Sequence, residues 1–200
     1  MDWFYDELKQ IGTDYNDLKQ VEEYDDEMQE LRDIKGEVEE IVSLTGIDAS
    51  KTVLDIGTGT GEQAVRLAKF CEKVYAIDIS NTMLEYASKK AQNRKVENIE
   101  FKKSGFLTCE FDNNSIDVVI TQLALHHLPD FWKQIALKRI FKLLKNGGRL
   151  YIYDVVFDFA IDKYKEGINQ FIELTRQGSE EMAEETKLHV KEEFQHLLGF

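Results

Sequence analysis

The sequence predicts an α/β domain, a mostly parallel sheet with helices on both faces. Three observations predict it. The stretch Thr52–Gly61, T-V-L-D-I-G-T-G-T-G, couples an apolar run to glycines at 57, 59 and 61 and then to a helical segment. A buried strand feeding a glycine turn and a helix is how such a sheet makes a ligand site. Strand-like and helix-like segments then alternate as far as residue 156, with apolar central strands, as expected of strands buried on both faces. Finally, the second strand-like segment ends on an acid, Asp78, 21 residues beyond Gly57.

The elements follow in order. The first 20 residues are polar with scattered aromatics, Trp3, Phe4, Tyr5 and Tyr15. From Glu22 to Leu44, Met28, Leu31, Ile34, Val38, Ile41 and Val42 recur at three- and four-residue steps on an acidic background. That is one apolar stripe, either a single helix or two if Gly36 bends it. Strand one is Thr52–Ile56, followed by a helix over 62–70 with Ala64, Leu67, Ala68 and Cys71 on one face. Strand two is Lys73–Asp78. Ser80 caps the next helix, which runs to Asn93 with Met83, Leu84, Ala87 and Ala91 inward. Strand three is Ile99–Lys103 and strand four Ile116–Thr121, leading to a helix over 131–144 for which Asp130 is the expected cap. Asn146-Gly147-Gly148 reads as a turn into strand five, Arg149–Val156. Helical patterns return at 162–177 and 184–198. The organisation is therefore an acidic N-terminal helical segment (1–50) covering the core, an α/β core (51–156) and a C-terminal helical segment (157–200).

Two hundred residues, 42 % of them apolar, suit one domain with a sizeable core. The formal charge of −13 lies almost entirely in the first 50 residues, and an acidic surface argues against nucleic-acid binding. Cys71 and Cys109 show no metal or redox spacing and read as reduced structural residues of a cytoplasmic protein. No apolar run approaches the roughly 20 residues of a membrane span, and no secretory signal is visible.

In this architecture ligands bind beyond the strand C-termini, where the strand order reverses. Gly57–Gly61, Asp78, the segment after Lys103 and the segment 122–127 all fall on that edge. Free N–H groups at the helix start favour a carboxylate or phosphate, and an acid at the end of the neighbouring strand can accept both hydroxyls of a ribose. Gln122 directly follows strand four and is a pocket-lining candidate; His126 and His127 are candidates to take a proton from a substrate or to orient it, or else simply shape the turn. Two adjacent histidines make no metal site, because their side chains diverge and no third ligand is well spaced; His189 and His196 lie too far along an unplaced helix to join them. Asp154 in strand five reaches the pocket edge, faces the sheet edge or pairs with a helix. Tyr5, Tyr15, Tyr24 and Phe157 are lid or substrate-wall candidates.

With those residues in view, the chain resembles a class I methyltransferase that uses S-adenosylmethionine. The resemblance rests on V-L-D-I-G-T-G-T-G at 53–61, V-Y-A-I-D-I-S at 74–80, D-V-V-I-T-Q-L-A-L-H-H-L at 117–128 and L-L-K-N-G-G-R-L at 143–150. It covers residues 22–156 and is closest to the small-molecule branch that includes the ubiquinone- and menaquinone-biosynthesis enzymes. It implies a Rossmann-like sheet of order 3-2-1-4-5 without the two strands that family members normally add at the end. It further implies that Asp55 and the backbone of Gly57, Thr58, Gly59 and Gly61 hold the methionine part of the cofactor, that Asp78 binds the ribose hydroxyls and that Ile79 packs on adenine. After strand three the family presents an acid for the adenine amino group, where this chain has Lys103-Ser104-Gly105-Phe106. Adenine recognition is then expected from Ser104, from backbone near Gly105, or from packing by Ile79 and Phe106, at a loss of about 1.5–3 kcal/mol for the missing charged hydrogen bond.

The expected activity is methyl transfer to a small molecule, from a monomer or from a homodimer through an exposed sheet edge. Two rivals stay open at this level. A noncatalytic adenosylmethionine-binding or protein-interaction module is suggested by Gly105, the short end and the acidic N-terminal helix. A nicotinamide-dependent oxidoreductase would use Gly59-x-Gly61-x-x-Ala64, but it leaves Gly57 unexplained and lacks a second substrate domain.

Overall fold

Residues 4–9, 18–156, 159–177 and scattered positions between 180 and 190 are described by this computed structural model. Trp3, Tyr15, Phe157, His189 and His196 lie outside the described residues, as do the side chains of Met28 and Leu31.

Among the described residues five strands form one parallel sheet: β1 (Thr52–Ile56), β2 (Lys73–Asp78), β3 (Ile99–Lys103), β4 (Ile116–Gln122) and β5 (Leu144–Tyr153). Their spatial order is β3-β2-β1-β4-β5, so the chain reverses direction across the sheet between β1 and β4. The order is the one implied by the resemblance. The helices are α1 (Leu18–Leu31), α2 (Ile34–Thr45), α3 (Glu62–Leu67), α4 (Asn81–Asn93), α5 (Asp130–Leu143) and α6 (Tyr164–Arg176).

Alternation along the strands divides the core in two. Val53, Val74, Ala76, Val118 and Ile120 pack with Ile34, Val38 and Ile41 of α2 and Ala64 and Leu67 of α3. Leu54, Ile56, Ile77 and Val119 face the opposite way, onto Ala136, Ile140 and Leu143 of α5 and onto Leu107. Each large aliphatic side chain fully buried here contributes about 1.5–3 kcal/mol, which makes this two-sided burial the main support of the sheet.

Several boundaries differ from expectation. The α1–α2 break falls at Arg32–Asp33, not at Gly36, because the Asp33 carboxylate caps α2 by accepting from Gly36 N at 3.0 Å. α3 stops at Leu67, three residues early. β5 starts at Leu144 and takes in Asn146–Gly148, where a register shift against β4 lies between Ile116 and Val118, so these residues form an irregularity within pairing instead of a turn before it. Asp130 is the first helical residue of α5, with Pro129 at the cap position. Ser80 does cap α4, accepting from Met83 N at 3.2 Å.

A buried ionic cluster joins α1 to the core. Asp25 of α1 accepts from Lys90 of α4 at 2.6 Å, and Lys90 lies 3.2 Å from Glu62 at the start of α3. Arg94 pairs with both Glu62 oxygens at 2.8 Å. Burial pushes the Glu62 carboxyl up, but Arg94 and Lys90 outweigh it and hold the group at about 2. The cluster fixes α1 next to the helix that begins at the glycine turn.

Candidate cofactor and acceptor site

The glycine turn is bound to the end of β2. Gly57 N and Thr58 N both donate to Ile77 O, at 2.9 and 3.0 Å. Gly57, Gly59 and Gly61 all have positive φ, the left-handed region where a side chain is strained. A side chain at Gly57 would collide with Ala124, and one at Gly61 would come within 2.6 Å of Ala87 Cβ, whereas at Gly59 nothing among the described residues lies within 4 Å. Two glycines thus serve close packing, and the middle one borders open space.

Asp78 connects this turn to the next helix. Its carboxylate accepts from Gly59 N at 2.9 Å and from Ser80 N at 2.8 Å. Burial raises its pKa, while those N–H groups and the nearby His127 ring pull it back. Ile79, next in sequence, is half-buried.

Asp55 sits beneath the turn, 2 % exposed. It accepts from Thr58 Oγ1 at 2.7 Å and from Gln63 Nε2 at 3.4 Å. Burial pushes its carboxyl up to about 7; the Thr58 hydrogen bond opposes the rise and the charge of Asp78 adds to it. Gln63 Oε1 is buried and has no hydrogen-bond partner among the described residues. The carboxylate and that amide oxygen are together a donor-poor pair that an ammonium group would satisfy.

At the end of β4, Gln122 Oε1 accepts from Arg32 Nη2 at 2.8 Å, and the Arg32 guanidinium also pairs with Glu37 through Nε at 3.0 Å. Sequence reasoning missed Arg32. The available signal was a single arginine beside Asp33 in an otherwise acidic stretch. Tyr24 of α1 lies close enough to both Arg32 and Asp78 to feel their charges, so α1 passes over this edge. A 3-10 turn, Leu125–His127, follows β4. His126 is buried with its Nδ1 2.7 Å from Asp154 Oδ1, and its backbone N donates to Asp154 Oδ2 at 3.2 Å. Burial pushes Asp154 up, but these His126 contacts hold it below its ordinary value. His127 is half-buried, its ring 4.2 Å from that of His126.

Beyond β3, Ser104 N donates to Asp78 O at 2.9 Å, and Gly105 N donates to Thr108 Oγ1 at 2.9 Å. Phe106 is buried with its side chain in the core beside Leu107 and Cys109, so what it offers the sheet edge is backbone. Burial raises the thiols of Cys71, to about 11, and of Cys109. Among the described residues no group of three or more His, Cys, Asp or Glu could hold a metal ion, and no helix is long and apolar enough to cross a membrane.

Comparison with known proteins gives this geometry a family. A model of the methyltransferase domain matches residues 47–198. The uncharacterized methyltransferase YcgJ of Bacillus subtilis is 30 % identical over 124 residues, covering 61 % of this chain and 48 % of that protein. The ubiquinone/menaquinone biosynthesis C-methyltransferase UbiE of Zymomonas mobilis is 34 % identical over 110 residues, covering 55 % and 45 %. Among solved structures, a SAM-dependent methyltransferase from Aquifex aeolicus superposes with a TM-score of 0.59 at 28 % identity, over 72 % of this chain and 76 % of that one. The match spans about half the length of the curated relatives. On the sequence motifs, the strand order and the family match together, the chain belongs to the S-adenosylmethionine-dependent methyltransferase-domain family.

Proposed function

We propose that this chain transfers a methyl group from S-adenosylmethionine to a small-molecule acceptor, with the cofactor lying across the ends of β1 and β2. The observation that supports the proposal is the 2.9 Å hydrogen bond from Gly59 N to Asp78, which holds the glycine turn and the acid at the end of β2 side by side. When bound, the cofactor supplies an electrophilic methyl group on a sulfonium. Asp55 and Gln63 receive its ammonium, the glycine turn lets its amino-acid end approach the backbone closely, and Asp78 accepts from its vicinal hydroxyls with Ile79 alongside. The fit is electrostatic, since the charge of an ammonium offsets the desolvation that lifts Asp55 to about 7.

The acceptor side is the space at the end of β4 beneath α1, next to Gln122, Arg32 and Tyr24. In-line displacement asks the protein to align two reactants and exclude water; α1, fixed by the Asp25–Lys90–Glu62 cluster, is the cover that does so. His126 is committed to Asp154 and positions the turn. His127, in electrostatic contact with Asp78, is the member of the pair placed to move a proton. A carbon acceptor, the kind named for the ubiquinone/menaquinone biosynthesis C-methyltransferase, is the first class to screen.

Calorimetric titration with S-adenosylhomocysteine tests the cofactor assignment. Saturable binding, weakened at least tenfold by Asp78→Ala, is expected; folded wild-type protein that binds neither this product nor the cofactor refutes it. Incubation with cofactor labelled in its methyl group then finds the acceptor, and binding without transfer to any acceptor class would leave a binding module.

A further inference from the structure

The position after β3 that lacks an acid in the sequence does not lack one in space. Glu7, from the N-terminal segment, is buried against Gly105. Its Oε1 accepts from Leu107 N at 2.8 Å, Thr108 N at 2.7 Å and Thr108 Oγ1 at 2.8 Å, while among the described residues Oε2 accepts only from Leu107 N, at 3.0 Å. A Cβ built on Gly105 would lie 2.6 Å from Glu7 Cδ and Oε2. The Glu7 carboxylate therefore occupies the volume that a side chain at residue 105 would enter, and only glycine leaves room for it. The segment that delivers it is fixed by aromatic contact, with the rings of Phe4 and Tyr5 at 5.4 and 6.2 Å from Trp132 of α5.

The location follows from the order of the strand ends. The turn for the amino-acid end lies at β1, and the acid for the ribose lies at β2. Ser104, the first residue beyond β3, is hydrogen-bonded to the backbone of that acid. A base attached to the ribose extends outward from β2 and reaches the end of β3. There Oε2 has accepting capacity left, and an exocyclic amino group is the donor that a carboxylate favours.

We propose that Glu7 reads the base of the bound nucleoside, a specificity residue carried by the N-terminal segment into the place of a residue-105 side chain. The proposal rests on the cofactor assignment above. Gly105 and Glu7 then form a matched pair, in which enlarging one requires shortening the other.

The test compares S-adenosylhomocysteine with S-inosylhomocysteine, whose base carries a carbonyl acceptor in place of the amino donor. Wild-type protein is expected to prefer the adenosyl compound by at least tenfold in calorimetric titration. E7A brings the ratio to within about threefold of unity, and the E7A/G105D double variant, with a new carboxylate in the vacated volume, restores it. E7Q keeps an oxygen for Leu107 and Thr108 and turns an amide donor toward the base, so its preference shifts to the inosyl compound; it provides the reading if E7A fails to fold. A ratio in E7A and E7Q within twofold of the wild-type ratio overturns the assignment of Glu7 and leaves the cofactor site intact. Wild-type protein that binds neither compound overturns both.

Discussion

Replacing Asp55 by asparagine should make the free protein more stable and the cofactor complex weaker. Asp55 is fully enclosed, and its carboxyl is raised from 3.8 to about 7 by burial first, with Asp78 adding to the effect. A folded-state value above the unfolded one means that the native state binds the extra proton. The stability contribution is full below pH 3.8 and is lost as pH rises through about 7. At about 1.4 kcal/mol per pH unit, holding this charge at pH 8 costs about 4 kcal/mol, an upper figure. Asparagine keeps the acceptor for Thr58, and its Nδ2, standing where Asp55 Oδ1 accepts from Gln63 Nε2, donates to Gln63 Oε1 once that amide turns over. A gain of about 2 kcal/mol at pH 8 is therefore expected, seen as a melting temperature higher by roughly 4–8 °C for a chain of this size. The gain should vanish near pH 4. Cofactor binding has the opposite dependence, because an ammonium beside Asp55 favours the ionised carboxylate. Wild-type affinity for S-adenosylhomocysteine should fall as pH drops below about 7, by up to tenfold per pH unit, and D55N should be weaker and pH-independent over that range. Melting by circular dichroism and calorimetry at pH 4 to 8 measure both. A D55N protein that melts below the wild type at pH 8, or differs from it equally at pH 4 and pH 8, refutes the desolvation argument.

Four other perturbations probe the site and the frame around it. Glu62→Gln removes the shared partner of Lys90 and Arg94 and should cost up to about 3 kcal/mol in urea unfolding at pH 7; since Glu62 is held at about 2, the loss should shrink as pH falls from 4.5 toward 2. Gly61→Ala places a Cβ 2.6 Å from Ala87 at a φ of 74° and should lower stability by about 1–3 kcal/mol while weakening cofactor binding, measured by thermal melting with and without S-adenosylhomocysteine. His126→Asn should destabilise by about 2 kcal/mol at neutral pH because Asp154 loses the imidazole and keeps the backbone N–H groups of residues 126 and 155, with the difference narrowing in acid as Asp154 protonates. His127→Ala should leave the melting temperature nearly unchanged and alter the pH profile of transfer; an unaltered profile removes His127 from proton transfer.

The sequence by itself determined the sheet, the glycine turn with Asp78 beyond it, and the cap at Ser80, because each depends on residues near one another in the chain. Alternation at period two, glycine spacing and a side chain reaching three residues ahead are local physics. Even the Asp33 cap was of this kind, and its priority over Gly36 as the helix break was there to be read. The tertiary structure alone decided what surrounds the ligand space. Arg32 meets Gln122 across 90 positions, His126 meets Asp154 across 28, and Glu7 meets Leu107 across 100. Such partners are chosen by the packing of α1, the N-terminal segment and the strand ends on a finished sheet. A charged side chain on an acidic segment carries no trace in its own neighbourhood of the distant group that will accept it. The vacancy at Gly105 was legible as a missing carboxylate; that Glu7 fills the same volume depended on the fold bringing residues 7 and 105 together.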